Sequence, residues 1–543
     1  MRSIKAARVG PRHDASMSDD IAISRRRVDA LRASLAAQTG RPVRLVETHI
    51  SWVLLTETQA FKLKKPVCLP FLDFSTAAAR RHCCEEELRL NRRLAPSIYL
   101  DVVEVRDSPS GPVLGGAGPV ADFAVHMRRF PDGALWSERL AMGRLGPAHI
   151  DAMAQCLHDF HQAAAIAPPE SPFGGAAAHD RVTRRLIDGL ASCRASAAAD
   201  GPVLRDWLTR QLHALAPLWE QRRRAGRVRE GHGDLHLANV LQLGEAPAAF
   251  DGIEFDDELR WIDVLYDIAF LAMDLLAHGQ RALAFRFVNA YLEASGDYDG
   301  LPALRFYLVS RALVRAQVAA IAEEQGGPSA GGPGATGYLA LAAELIRSAD
   351  PRLAITHGLP GAGKSHLSQR VIEAAGAIRV RSDVERKRLF GLPALAHSGG
   401  LARPRAGGIY DAETTRRTYA RLDEAARAAL AGGWPCVIDA AFLRGAERGH
   451  VAALAWVLEV PFSIFDCRAR LVLLRQRLQQ RQAQGHDASE ADVAVLERLR
   501  QAAEPLDDDE LAVSIVVDAA EPLPSDVLAQ RWLAAVPRPA LSI

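Results

Sequence analysis

The chain has 543 residues, 49% hydrophobic and 24% charged, a size and balance that call for two or three folded domains and not a single core. Lys plus Arg (66) nearly cancels Asp plus Glu (65), so no global basic field draws nucleic acid, and no apolar run approaches the roughly 18 residues of a membrane span. Seven cysteines, with only Cys83 and Cys84 adjacent, give neither a disulfide framework nor spaced zinc pairs; with no secretory signal pattern, reduced thiols and a cytoplasmic location are expected.

Residues 1–20 are polar, with Gly10, Pro11 and a second methionine at Met17, and read as a disordered leader. Val28, Leu31, Leu35 and Ala36 fall at helical spacing and predict a short helix over 28–38. Three apolar runs between Val43 and Lys65, VRLVET, SWVLLT and QAFKLKK, are separated by polar turns and predict strands. Lys62 and Lys64 stand two apart on the third run and so share a face, although lysine on a strand is also a common guard against edge-to-edge association. STAAARRHCCEEELRLNRRL, 75–94, predicts a helix carrying Glu85, Glu86 and Glu87, where pairs such as Glu85 with Arg89 suit a solvated face. FAVHMRRF, 123–130, predicts a strand entering the turn Pro131-Asp132-Gly133. Residues 148–225 are helical in pattern, broken at 165–178 and 195–202; His158 and His161 lie one turn apart without the further ligands a zinc site needs.

The most informative stretch is GHGDLHLANVLQLGEAPAAFD, 231–251. Asp234 and Asn239 stand five apart in a polar, turn-prone run, and Asp251 ends a second apolar run. This spacing suits phosphoryl transfer: Asp234 orients and deprotonates an acceptor hydroxyl, while the Asn239 amide oxygen and the Asp251 carboxylate are hard ligands for Mg2+.

His232-Gly233-Asp234-Leu235-His236 with Asn239 and Asp251 resembles the aminoglycoside phosphotransferase and choline kinase group. EFDDELRWIDVLYDIAF, 254–270, resembles one branch of it, the bacterial two-part proteins that fuse an aminoglycoside phosphotransferase-like domain to an ATP-binding kinase domain, and this resemblance spans nearly the whole chain. It implies an α+β protein-kinase-like domain over 21–350, with a small lobe at about 40–130 and a large lobe at about 131–350. It also implies that a third-strand lysine meets the ATP phosphates: Lys64 first, Lys62 second. Glu86 is then the helix carboxylate that orients this lysine, and Asp267 braces the catalytic loop. No Gly-rich phosphate loop precedes Lys64, as in that group. Gln325–Gly337, QGGPSAGGPGATG, reads as a flexible insert. Tyr338–Ile346 resembles the last helix of the first domain, which puts the boundary near Asp350-Pro351.

Leu353–Thr356 reads as a strand running straight into Gly358-Leu359-Pro360-Gly361-Ala362-Gly363-Lys364-Ser365 and then His366 at the head of a helix. This is the full phosphate-binding G-x-x-x-x-G-K-S in its strand–loop–helix setting: backbone N–H groups ring the phosphates, Lys364 reaches them, and Ser365 binds Mg2+. Residues 351–543 are therefore expected to form an α/β P-loop domain with a parallel sheet. Residues 378–388, a short strand opening into a basic helix, resemble the small-molecule and polynucleotide kinases of the P-loop class. That resemblance makes Asp383 the general base, although Ser382 or Asp383 would also serve as a helix N-cap. It also places a substrate- or metal-facing carboxylate at Asp439 and makes Arg477 and Arg481 lid arginines, where a solvated basic helix face is the alternative. The expectation is an ATP- and Mg2+-dependent phosphotransferase with two sites acting on hydroxyls of small molecules such as aminoglycosides, sugars or nucleosides. The competing expectation is a P-loop kinase for a small molecule or a nucleic-acid 5′-hydroxyl, controlled by an N-terminal kinase-like binding module.

Overall fold

The computed structural model describes residues 11–543 apart from 70–71, 193–199, 325–331, 395, 397–408, 410, 485–488, 522 and 536–543; the side chains of 11–19, 191–192 and 481–484 also lie outside the description. Packing divides the chain into two compact units, Met1–Ala197 with Trp219–Leu271, and Ala198–Leu218 with Ala272–Ile543.

The first unit is built on a six-stranded antiparallel sheet in the order Arg44–Glu47, Ser51–Leu55, Gln59–Lys64, Val120–Arg128, Tyr99–Ser108, Gly111–Leu114. Side chains alternate across the sheet. Phe61 and Leu63 join Trp52 and Leu54 in a core closed by Val28, Leu31 and Leu35 of the helix Pro11–Thr39. That helix takes in residues 11–20, which the sequence pattern assigns to a leader. Ala60 points the other way, into a cluster with Cys84, Tyr99 and Val125, so the same alternation turns Lys62 and Lys64 toward the helix Ala77–Asn91. The strands Tyr99–Ser108 and Gly111–Leu114 were not visible in the sequence. The first carries Asp101, Glu104, Arg106 and Asp107 and buries only Tyr99 and Val105, so its apolar alternation is weak.

The second unit contains a five-stranded parallel sheet in the order Ile378–Arg381, Cys436–Asp439, Leu353–His357, Phe462–Arg468, Ser514–Asp518. Leu367, Val371 and Ile372 of the helix Lys364–Ala375 and Leu528 and Trp532 of the helix Ser525–Leu533 pack against Val437 and Phe465 of the sheet. The helices Arg281–Ser295, Leu301–Glu324 and Gly334–Arg347 belong to this unit. Arg305 stacks on the Trp434 ring at 4.0 Å and donates to the Gly432 and Gly433 carbonyls. The packing division therefore places residues 198–218 and 272–350 with the second unit, whereas family resemblance puts a single boundary near 350. Of the expected insert 325–337, residues 325–331 lie outside the described residues, and from Gly334 the chain is helical. No described helix is long and apolar enough to cross a membrane.

Candidate active sites

In the first unit, strands Val228–Glu230 and Trp261–Asp263 pair and lead Gly231 past the helix Val264–Ala277. A Cβ on Gly231 would stand 2.6 Å from Asp267 Oδ2, so glycine is what admits this carboxylate. The buried Asp267 accepts the N–H groups of His232 (2.7 Å) and Gly233 (3.0 Å) and meets His161 Nε2 at 3.2 Å. Burial opposes its ionisation, but His161, His232 and the backbone donor outweigh burial and hold the carboxyl well below its ordinary value. Burial pushes His232 the other way, toward the neutral ring, whose Nε2 lies 2.9 Å from the Phe250 carbonyl.

A hairpin explains the spacing of Asn239 and Asp251. Val240–Leu243 pairs with Ala246–Ala249, Val240 opposite Ala249, so Asn239 and Phe250 flank the open end and are joined by a Phe250 N–H to Asn239 carbonyl bond of 3.0 Å. Asn239 Nδ2 donates to the Asp234 carbonyl (2.9 Å) and to Asp234 Oδ2 (3.1 Å), which leaves the amide oxygen as its acceptor for a cation. Asp251 adopts φ 62°, a left-handed conformation that is uncommon outside glycine and costs energy. Its N–H donates to Tyr99 Oη (3.2 Å), and the next N–H, of Gly252, donates to Asn91 Oδ1 (2.8 Å), pinning the turn.

The two lysines share one helix carboxylate. Lys62 Nζ donates to Glu87 Oε1 at 2.9 Å and to Asp251 Oδ1, while Lys64 Nζ donates to Glu87 Oε2 and Glu254 Oε1. Lys62, the second choice from sequence, is thus the lysine that touches Asp251; Lys64 is fully buried between two carboxylates. Glu87, not Glu86, is their partner. The helix starts at the Thr76 cap, and its inward stripe runs Arg80, Cys84, Glu87, Asn91; Glu86 is out of phase and pairs with Arg89 at 2.8 Å. Burial opposes ionisation of Glu87, yet Lys62 and Lys64 together hold its carboxyl low. Glu254 is pushed up by burial, with Lys64 pulling back and Glu87 adding repulsion. Helical phase counted from the Thr76 cap is the signal that separates Glu87 from Glu86; the tie from Glu254 to Lys64 left no local signal.

In the second unit the strand Leu353–His357 delivers the loop Gly358–Gly363 to the N-terminus of the helix Lys364–Ala375. Gly361 has φ 84°, and a Cβ there would sit 3.0 Å from the Leu474 carbonyl oxygen. Pro360 and Ala362 are buried, and His366 is exposed on the first helical turn. Lys364 Nζ curls back across the loop to the carbonyls of Gly358 (2.9 Å) and Leu359 (3.1 Å). Asp439, at the end of the neighbouring strand, accepts from Ser368 Oγ (3.1 Å) and Thr356 Oγ1 (3.4 Å). Asp383 opens the helix Ser382–Arg388; burial raises its carboxyl above the ordinary value and Asp439 adds to this, against the pull of Arg381 and Lys364. Arg477 Nη1 donates to the Gly361 carbonyl (3.1 Å), whereas Arg475 turns to Glu497. The Arg481 side chain lies outside the described residues. A cleft of about 520 Å³ runs beside the loop, lined by Gly358, Leu359, Ala362, Asp466, Arg468 and Leu474 among others.

A model of the phosphotransferase enzyme family matches residues 71–307, and an AAA domain model matches 353–506. Uncharacterized proteins of Mycobacterium tuberculosis (strain H37Rv) and Mycobacterium bovis are each 34% identical over 463 residues, covering 84% of this chain and 89% of theirs. The chain belongs to this two-part phosphotransferase family. Its N-terminal part is the kinase-like phosphotransferase fold, its C-terminal part the α/β P-loop fold, and the protein is a phosphotransferase. Among solved structures, a thermostable mutant of an aminoglycoside phosphotransferase is 16% identical, covers 58% of this chain and 98% of its own, and has a TM-score of 0.35. A gluconokinase from Sinorhizobium meliloti is 19% identical, covers 34% of this chain and 90% of its own, and has a TM-score of 0.24.

For such an enzyme the donor chemistry of both sites fits a magnesium nucleotide. Asn239 and Asp251 in one unit and Ser365 and Asp439 in the other offer only oxygen, the preference of a hard cation that keeps most of its waters. Lys62 and Lys364 would add the point charges that phosphate oxygens require.

Proposed function

We propose that the chain carries two separate ATP- and Mg2+-dependent kinase sites, each transferring phosphate to a hydroxyl of a small molecule. The observation that supports this reading is that each unit brings together a lysine, oxygen-bearing side chains and a further carboxylate, Lys62, Asn239, Asp251 and Asp234 in the first and Lys364, Ser365, Asp439 and Asp383 in the second. In the first unit Asn239 Nδ2 holds the Asp234 carboxylate, which receives the acceptor's proton. Lys62, oriented by Glu87, meets the nucleotide phosphates next to Asp251. In the second, backbone N–H groups of 361–365 and Lys364 hold the phosphates, Arg477 lies over Gly361 where the transferred group would pass, and Asp383 takes the acceptor proton. The raised carboxyl of Asp383 suits a base, because a higher pKa gives a stronger proton acceptor. Bound magnesium would supply neutralisation of developing phosphate charge at each site.

The test is phosphate transfer from labelled ATP to a panel of aminoglycosides, sugars, nucleosides and 5′-hydroxyl oligonucleotides, with wild type, Asp234→Ala and Lys364→Ala. Loss of a different acceptor's phosphorylation in each variant supports two kinases. If Asp234→Ala changes nothing while Lys364→Ala ends all turnover, the first unit is a binding or regulatory module and the two-kinase reading is wrong.

A further inference from the structure

The strand Ile378–Arg381 lies at the edge of the parallel sheet, and one helix, Arg281–Ser295, occupies its open side. That helix falls within residues 71–307, the phosphotransferase-family region, yet it packs in the P-loop unit. Asn289, 1% exposed, acts as one further rung of the sheet: its Nδ2 donates to the Ala377 carbonyl (2.9 Å) and its Oδ1 accepts the Arg379 N–H (2.7 Å). An edge strand with unpaired backbone groups is a liability, and this amide satisfies two of them.

One turn on, Glu293 Oε1 accepts from Arg379 Nη2 (2.6 Å) and Nε (2.9 Å), and Oε2 meets Arg381 Nη1 at 3.5 Å. Both guanidiniums continue into the P-loop site. Arg379 Nη1 donates to the Ser365 carbonyl (3.2 Å) and Ser368 Oγ (3.4 Å), and Arg381 Nε stands 3.7 Å from Asp439 Oδ2. Glu293 is thus one residue removed from both oxygen donors, Ser365 and Asp439. Beyond it, Arg388, from the helix that carries Asp383, donates to the Ala294 carbonyl at 3.1 Å and to that of Glu293.

We propose that Glu293 is a positioning residue of the P-loop site, holding Arg379 and Arg381 so that Ser365 and Asp439 keep a geometry and a local charge that accept a divalent cation. The inference rests on the P-loop reading above. Its physical content is a charge balance. With Glu293 the two guanidiniums are partly neutralised; without it both lose a shared carboxylate partner, and the net positive charge beside the cation's ligands rises by one. That change disfavours Mg2+ and leaves an anionic nucleotide unharmed or better held. Damage to packing alone would weaken nucleotide binding with and without the cation.

The experiment titrates the non-hydrolysable analogue adenosine 5′-(β,γ-imido)triphosphate by calorimetry, with and without Mg2+. It uses the full chain in a Lys62→Ala background, which leaves the P-loop site to be read. Glu293→Gln is expected to bind the analogue alone within about twofold of the background, or tighter, and to bind it with Mg2+ about tenfold more weakly. Glu293→Asp, which keeps the charge on a shorter stem, falls between the two and carries the test if the glutamine variant does not fold. Equal affinities in all three proteins, or an equal loss with and without Mg2+, overturn the proposal. Binding in the background that Lys364→Ala leaves untouched overturns the P-loop reading itself, and the proposal with it.

Discussion

The two sites are built by opposite means. In the first unit the chemistry sits on side chains drawn from far apart: Lys62 and Lys64 from a strand, Glu87 from a helix, Asp234 and Asn239 from a loop, Asp251 and Glu254 from the turn after a hairpin. The two lysines, Glu87, Asp251 and Glu254 form one cluster of alternating charge, much of it buried. In the second unit one unbroken loop, 358–365, makes the phosphate cradle from backbone, and glycines give it its shape. A site made of side chains depends on partners that hold one another's charge; a site made of backbone depends on small residues at a few fixed positions.

The largest test of this difference is loss of a functional side chain. Asp234→Ala is expected to slow transfer at the first site about 10²–10⁴-fold, the usual share of a positioned base, with transfer at the P-loop site unchanged. Lys62→Ala should abolish nucleotide binding there with less loss of stability than Lys64→Ala, because Lys64 has no exposure and spans two carboxylates. Titration of nucleotide and urea unfolding of the two variants, side by side, would reverse this assignment if Lys64→Ala proved the one that spares stability.

Next comes the charge cluster itself. Glu87→Gln leaves two buried lysines short of one carboxylate and is expected to cost about 3–5 kcal/mol. Glu86→Gln breaks only the pair with Arg89 near the surface and should cost at most about 1 kcal/mol. Equal urea midpoints for the two variants would contradict the placement of Glu87.

For the backbone-built site the matching variant is Gly361→Ala. A methyl group at φ 84°, 3.0 Å from the Leu474 carbonyl oxygen, costs about 1–2 kcal/mol of left-handed strain and contact, so nucleotide affinity at that site should fall about tenfold. Calorimetry reads it, and an unchanged affinity would show that the loop tolerates the methyl.

The smallest effects are those of pH. The folded-state carboxyl of Asp267 lies below its ordinary value of about 3.9, so its contribution to stability is complete above that value and is lost as pH falls through the lower folded one. Asp267→Asn should cost about 1–3 kcal/mol at neutral pH and flatten the decline of stability below about pH 4. At the other site the shift of Asp383 is upward, so the acid limb of P-loop transfer should lie above the ordinary carboxylate value and disappear in Asp383→Asn.

The same contrast explains what the sequence showed. The P-loop was legible because its chemistry is contiguous and its context, strand then helix, is local. The closeness of Asn239 to Asp251 was legible because the hairpin between them is local too: ten residues from Val240 to Ala249 fix the distance. Which of Lys62 and Lys64 meets Asp251 was not, because both share a strand face and only that distant carboxylate distinguishes them. Glu87 and Glu86 differ by a single step of helical phase, which the Thr76 cap sets and the acidic run obscures. Glu254, and the seat of Asn289 and Glu293 beside Arg379, are contacts between segments far apart in the chain, and neither composition nor spacing records them.

The most direct measurement is the number of nucleotides bound per chain, by calorimetric titration of an ATP analogue with Mg2+. Two sites are expected in the wild type, with one lost in Lys62→Ala and the other in Lys364→Ala. A single site that Lys62→Ala leaves intact and Lys364→Ala removes would contradict the claim that both units are kinases.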